Sequence, residues 1–192
     1  PQKTKKVHNK PSSITDCIRK INQIIERESK SSTYKFALLR AVVELVASQS
    51  PLMVQRGNRM DIPMGLVIEK WMYYYYPLLL DIDKTPQNTG SKQLVFYEDM
   101  LQLHSFYENN AGDGLTLFYH DLNWRGLPEA VSPAVLQLAK NIRKALVTGP
   151  MKHLGQSIGG MHYSIFQVES SSNFRKANSI NKQWLINQAG MF

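Results

Sequence analysis

The segment from Thr33 to Ala47 constrains the fold more than any other part of the chain. Its apolar residues recur at the spacing of an α-helix and cover most of the circumference: Phe36, Leu38, Leu39, Val42, Val43, Leu45 and Val46. Ser32 or Thr33 can cap the first turn. A helix that is apolar on so many sides needs neighbours on several sides. We therefore expect a bundle in which this helix is the central and most buried member.

The rest of the chain predicts a mainly α fold of five or six helices. Apolar periodicity and capping residues indicate further helices near residues 14–29, 61–76, 93–107, 115–122 and 132–147. Alternation from Met161 to Val168, and a second extended stretch from Ile180 to Ile186, predict a small β element near the C-terminal end, at residues 161–186.

Three segments are predicted along the chain. Residues 1–12 read as a flexible basic arm, 13–155 as a helical domain, and 156–192 as a β-containing segment that leads toward a missing C-terminal domain. No apolar run reaches the length of a membrane span. The single cysteine, Cys17, lies among isoleucines and reads as a core residue. We expect a cytoplasmic protein without a membrane partner.

Positive charge is concentrated in the first third of the chain. The net charge is +8; residues 1–60 hold 12 Lys and Arg against 4 Asp and Glu, while residues 61–192 hold 11 of each. Clustered Lys and Arg bind polyanions by neutralising phosphates and releasing counterions. This distribution favours DNA as the partner, although a merely solvated basic surface has the same composition. A homodimer is left open.

The DNA-binding residues are expected within the excess of charge. The candidates are Arg19, Lys20, Arg27, Lys30, Lys35, Arg40, Arg56 and Arg59. Lys35, one turn into its helix, can meet a phosphate near the positive end of the helix dipole. Arg56 and Arg59 flank the turn residues Gly57 and Asn58, so two guanidinium groups would project from a tight loop toward phosphates or base edges. A solvated turn is the ordinary alternative.

Catalytic patterns are not found. The five histidines have no partner at metal-ligand spacing, and no serine elbow or dinucleotide fingerprint occurs. Asp81, Asp83 and Lys84 combine the residue types of a metal nuclease, but their order does not fit the usual acid-x-lysine spacing. We therefore predict no catalytic residue, no metal ligand and no cofactor in these residues.

Two blocks of the sequence carry a resemblance. Ser32 to Leu39, and Ile62 with Pro63 followed by the helix to Trp71-Met72-Tyr73-Tyr74-Tyr75-Tyr76-Pro77-Leu78, resemble the amino-terminal region of predicted bacterial HNH endonucleases of the restriction and defence type. The resemblance extends over roughly residues 14–170. It implies a helical region preceding a carboxy-terminal HNH domain that holds a divalent metal. This chain has no histidine-rich ββα motif, so the resemblance supplies no catalytic residue.

Two functions follow as expectations. In the first, the chain is the DNA-binding or positioning N-terminal part of an HNH-type endonuclease, and residues beyond Phe192 cleave the DNA. In the second, it is a helical module that binds a protein or senses a ligand for an attached effector domain. Salt separates the two, because phosphate-driven binding weakens steeply as salt rises.

Overall fold

The computed structural model describes residues 19, 22–24, 26, 33–79, 94–108, 113–160, 162–169 and 172–192. The elements are α1 (Thr33–Ala47), β1 (Val54–Arg56), β2 (Arg59–Asp61), α2 (Met64–Tyr75), α3 (Tyr97–Glu108), α4 (Gly114–His120), a π-helical turn (Asp121–Arg125), α5 (Ser132–Thr148), α6 (Pro150–His153), α7 (Gln156–Gly159) and α8 (Lys182–Ala189). The predicted mainly α fold with a small β element is confirmed. Residues 19, 22–24 and 26 are helical too, in the region of the first predicted helix.

The most buried helix is α2, so the prediction that the Thr33 helix holds this position is wrong. Nine of the twelve residues of α2 are buried, whereas α1 buries Tyr34, Leu38, Ala41 and Leu45. Phe36, Val43 and Val46 of α1 are 45%, 58% and 46% exposed. The reason lies in the neighbours: α1, α5 and α8 all pack on α2. The apolar stripe of α1 is wider than the surface that the described residues cover.

Gly65 brings α8 close to α2. A Cβ atom at this position would lie 2.5 Å from backbone atoms of Leu185 and Ile186. The absence of a side chain therefore allows one helix backbone to contact the other directly.

An ion pair between a buried carboxylate and a half-exposed lysine lies where α2 meets α8. Glu69 is only 3% exposed, and Lys182 Nζ lies 3.0 Å and 2.9 Å from its two carboxylate oxygens. Tyr73 Oη donates a second hydrogen bond to Glu69, at 3.2 Å, and Asn123 Nδ2 donates to Tyr73 Oη at 2.9 Å. The network joins α2, α8 and the π-helical turn, and it gives the buried carboxylate a countercharge.

The β element lies elsewhere than predicted. It is the antiparallel hairpin of β1 and β2, not residues 161–186. Residues 180–186, predicted to be extended, include the start of α8, because the Asn181 side chain accepts a hydrogen bond from Trp184 N at 2.8 Å and caps the helix. Residues 163–169 are irregular, with alternate residues more and less exposed, and form no strand in the described structure.

The last residues pair with the entry to α2. Ile62 N donates to Phe192 O at 2.8 Å, and Phe192 N donates to Ile62 O at 3.1 Å. Ile180, Leu185, Ala189 and Phe192 belong to the same core cluster as α2. Residues on both sides of the predicted boundary at 155 thus share one core. In the part of the chain described here, no helix combines the length and apolarity that crossing a membrane requires.

Candidate nucleic-acid interface

The predicted DNA-binding residues do not form one cluster. Lys20, Arg27 and Lys30 lie outside the described residues, as do the arm, Asp81, Asp83 and Lys84. Arg19 is exposed. The four that remain separate into three places: Arg40 in the middle of α1, Lys35 near its start, and Arg56 with Arg59 on the hairpin.

Arg40 is engaged within the fold. Its Nε lies 2.8 Å from Glu44 Oε1, and its guanidinium carbon lies 4.3 Å from the centre of the Tyr74 ring. Glu44 Oε2 also accepts from Lys70 Nζ at 2.9 Å. Burial favours the protonated form of Glu44, but hydrogen bonds from Lys70 and Arg40 outweigh it and lower the pKa to about 2. These contacts join α1 to α2, so Arg40 contributes to the packing of the two helices.

Replacing Glu44 with glutamine should make the stability of the domain less sensitive to acidic pH. The pKa of Glu44 is lower in the folded state than its usual value of 4.5, so its stabilisation is complete above that value and is lost as pH falls toward about 2. Because the side chain is 35% exposed, solvent screening limits the effect to about 1 kcal/mol. In thermal unfolding, the wild type should have a higher melting temperature than Glu44→Gln at neutral pH. The difference between the two melting temperatures should shrink below about pH 4. A gap that stays constant down to about pH 2 would contradict the assignment.

The hairpin is the most exposed element that contains residues predicted to bind DNA. Every residue from Val54 to Met60 is exposed. Gly57 takes the first turn position with φ of 62°, a conformation that suits glycine. The side chains available at this tip include two amides and two guanidinium groups, those of Gln55, Asn58, Arg56 and Arg59. These are the side-chain types that make paired hydrogen bonds with adenine and guanine.

The two arginines face each other across the hairpin. Arg56 and Arg59 are direct partners in the strand register, an arrangement in which like charges repel. Asp61 compensates on the same face, with Oδ2 2.5 Å from Arg56 Nε. Arg59 Nη1 donates to Gln167 Oε1 at 2.6 Å. Both guanidinium groups are thereby oriented while remaining at the surface; the Arg56 side chain is 73% exposed.

A groove of about 770 Å³ runs beside the hairpin. One wall comes from Val42 and Val46 of α1, and the other from Ile165 and Phe166 in the segment 163–169. Arg59 also lines the groove. This groove offers apolar surface next to the cationic tip.

A second cavity, of about 390 Å³, lies at the other end of α1. Lys35 and Tyr34 line it together with Lys144, His153 and Pro150 from α5 and α6. Among the described residues that line it, none is Asp or Glu. The structure thus places Lys35 and Lys144 in the lining of one cavity.

Sequence reasoning missed Lys144 and His153 at the cavity and Gln55 and Asn58 at the hairpin. Position relative to the turn could have identified the two amides, since both lie within two residues of Gly57. No local signal links Lys35 with residues more than a hundred positions away.

The described residues offer no metal site. They contain no group of three or more His, Cys, Asp and Glu that could hold a metal ion. The divalent metal that the HNH resemblance implies has no ligand set among these residues.

Comparisons with known proteins identify the family of the chain. No curated protein and no solved structure matches it. A family model described as Domain of unknown function (DUF8808) matches residues 15–192. That match covers every element described above, and the chain therefore belongs to the Domain of unknown function (DUF8808) family.

Proposed function

We propose that this domain binds double-stranded DNA, with the hairpin as the element that enters the major groove. The observation that carries the proposal is the exposed hairpin with Arg56 opposite Arg59 at its tip. The major groove admits a two-stranded β-ribbon, and arginine makes paired hydrogen bonds to guanine. The partners Asp61 and Gln167 hold the guanidinium groups in place, which lowers the entropy lost on contact.

Phosphate contacts supply the remaining affinity in this proposal. Lys35 lies on the same helix face as Val42 and Val46, which border the groove beside the hairpin, since seven and eleven residues correspond to about two and three turns. Arg19 and the charge excess of residues 1–60 add to the positive potential. Such contacts position the protein without reading sequence.

The domain would position DNA for an HNH nuclease domain outside these 192 residues. Support comes from the two sequence blocks that resemble the amino-terminal region of HNH endonucleases. In this proposal the divalent metal and the cleaving residues belong to that other domain.

The test compares arginine variants on selected and random duplexes. A preferred sequence is first enriched from a random duplex pool with the wild-type chain. Arg56→Ala and Arg59→Ala should each lose about 1 to 3 kcal/mol of binding free energy on the preferred duplex and less on a random one. Arg56→Lys keeps the charge but loses the paired geometry, so it should resemble Arg56→Ala on the preferred duplex and wild type on the random one.

Lys176→Ala is the control, because Lys176 is exposed on an irregular segment away from the hairpin in sequence. This variant should weaken binding to both duplexes equally or not at all. If both arginine variants and Lys176→Ala bind the preferred duplex with the same affinity as the wild type, the hairpin is not the DNA-reading element.

The apolar groove favours a second candidate, a module that binds a protein partner for an effector domain. Val42, Val46, Ile165 and Phe166 expose apolar surface along it. Binding through this groove would change little between about 50 and 200 mM salt, whereas DNA binding should fall steeply. If this candidate holds, Val46→Glu should abolish binding of the protein partner, because it places a carboxylate in the groove.

A further inference from the structure

The last residues of the chain are hydrogen-bonded through their backbone on two sides. On one side, Ile62 N donates to Phe192 O at 2.8 Å and Phe192 N donates to Ile62 O at 3.1 Å, the double bond of an antiparallel pair. Pro63 and Met191 form an antiparallel bridge beside it. On the other side, Glu169 N donates to Met191 O at 3.1 Å. Residues 190–192 therefore lie between two backbone neighbours.

The groove of about 770 Å³ continues the line of these last residues. Residues 58–62 line one of its flanks and residues 163–169 line the other. In an antiparallel ladder, the positions after Phe192 face the residues before Ile62. Those residues belong to the first flank, so the groove lies where the next residues of a middle strand would run.

The backbone of Met60 offers hydrogen bonds on the groove side. Backbone N–H and C=O groups alternate between the two edges of a strand, so those of Met60 point to the same side as those of Ile62. At Ile62 that side is taken by Phe192. Within the described part of the chain, no backbone group pairs with Met60 on this side. Open edge groups of this kind are a template for another strand.

The two faces of an added strand would have different surroundings. Met60 and Ile62 share one face of their strand, and Phe192 shares it too because directly paired residues lie on the same face. Ile62 and Phe192 are buried, so this face is turned toward the core. On the surface, Arg59 Nη1 donates to Gln167 Oε1 at 2.6 Å. A residue opposite Met60 would thus face apolar groups, and its two neighbours would face solvent.

We propose that this groove binds an extended β-strand of a partner polypeptide, paired antiparallel with Met60 and apolar at every second residue. The apolar residues would pack on Val42 and Val46 of α1. Main-chain hydrogen bonds give such a complex its affinity, and the alternate side chains give it specificity. The described residues include no segment of this chain that pairs with Met60 from the groove, so the strand is assigned to a separate polypeptide. The inference rests on the second candidate function and specifies its partner.

An attached probe tests the site before a natural partner is known. The chain is extended after Phe192 by Ser-Ile-Ser-Ile, which fixes the register and places isoleucine opposite Met60. Attachment raises the effective concentration to about the millimolar range. Hydrogen exchange of the Met60 amide, measured by NMR, should become at least about tenfold slower than in the unextended chain, because the amide gains a hydrogen bond.

Matched variants separate a paired strand from an attached tail. Extension by Ile-Ser-Ile-Ser has the same composition but turns serine toward α1, so it should leave Met60 exchange unchanged. In the chain extended by Ser-Ile-Ser-Ile, Val46→Glu should abolish the slowing. Val43→Glu should retain it, since Val43 is exposed on the same helix and does not line the groove. Equal Met60 exchange in the unextended chain and in both extended chains would overturn the inference.

A free peptide tests the source of the strand. Peptides are selected from a random library on the wild-type chain, with Val46→Glu as the counter-selection. The selected peptides should be apolar at every second residue and should slow Met60 exchange. Peptides that bind but leave Met60 exchange unchanged would reject the strand and keep the second candidate function. Slowing by the attached strand alone, with no peptide selected, would overturn the separate partner.

Discussion

Lys182→Met should lower the free energy of unfolding by about 1 to 3 kcal/mol, because it leaves the buried carboxylate of Glu69 without its countercharge at a site that solvent partly reaches. Glu69 is 3% exposed, and Lys182 contacts both of its oxygens. The hydrogen bond from Tyr73 remains, but a neutral hydroxyl does not replace a cation. Urea unfolding monitored by circular dichroism measures the change.

The double variant Glu69→Met with Lys182→Met separates the lost pair from the lost side chain. Removing both charges eliminates the uncompensated carboxylate, so the double variant should recover most of the stability. Lys176→Met is the matched control at an exposed lysine and should change stability by less than about 0.5 kcal/mol. A double variant no more stable than Lys182→Met would show that packing, and not charge, is what Lys182 contributes.

Gly65→Ala should destabilise the domain by about 1 to 3 kcal/mol even though alanine is the better helix former. Alanine gains about 1 kcal/mol over glycine within a helix. The added Cβ would lie 2.5 Å from the backbone of Leu185 and Ile186, so α8 must move away from α2. Overpacking against backbone outweighs the helix propensity because no flexible side chain can yield.

Gly57→Ala provides the comparison for Gly65→Ala. A Cβ at Gly57 meets nothing within 4 Å, and its cost comes only from its φ of 62°. Amide chemical shifts across α8 should therefore change in Gly65→Ala and stay unchanged in Gly57→Ala. Stabilisation by Gly65→Ala would mean that α2 and α8 are further apart than the structure has them.

Local patterns were sufficient for most of the helices and for the hairpin arginines. Apolar periodicity and capping residues predict a helix near 132–147, and α5 spans Ser132–Thr148. Capping and periodicity are properties of consecutive residues, so they can be read without knowing the fold. Arg56 and Arg59 were singled out because Gly57 and Asn58 lie between them, and the turn does place them opposite each other.

Tertiary structure decided which helix is central. The stripes of α1 and α2 both read as widely apolar, and a helix sequence does not state how many neighbours cover it. Packing by α1, α5 and α8 buries α2, while Val43 of α1 stays 58% exposed. Tertiary structure also decided the conformation of the segment from Ile180 to Ile186, whose pattern of apolar and polar residues does not distinguish a strand from a helix. The Asn181 cap and packing on α2 favour the helix there.

The sequence by itself determined the local elements, the uneven charge and the arginine-bearing turn. Only the tertiary structure paired Glu69 with Lys182, which are 113 residues apart, and placed Lys35 in one cavity with Lys144 and His153. Such long-range contacts depend on how whole helices pack. The free energy that selects one packing is distributed over the entire core and is not encoded in any short sequence pattern.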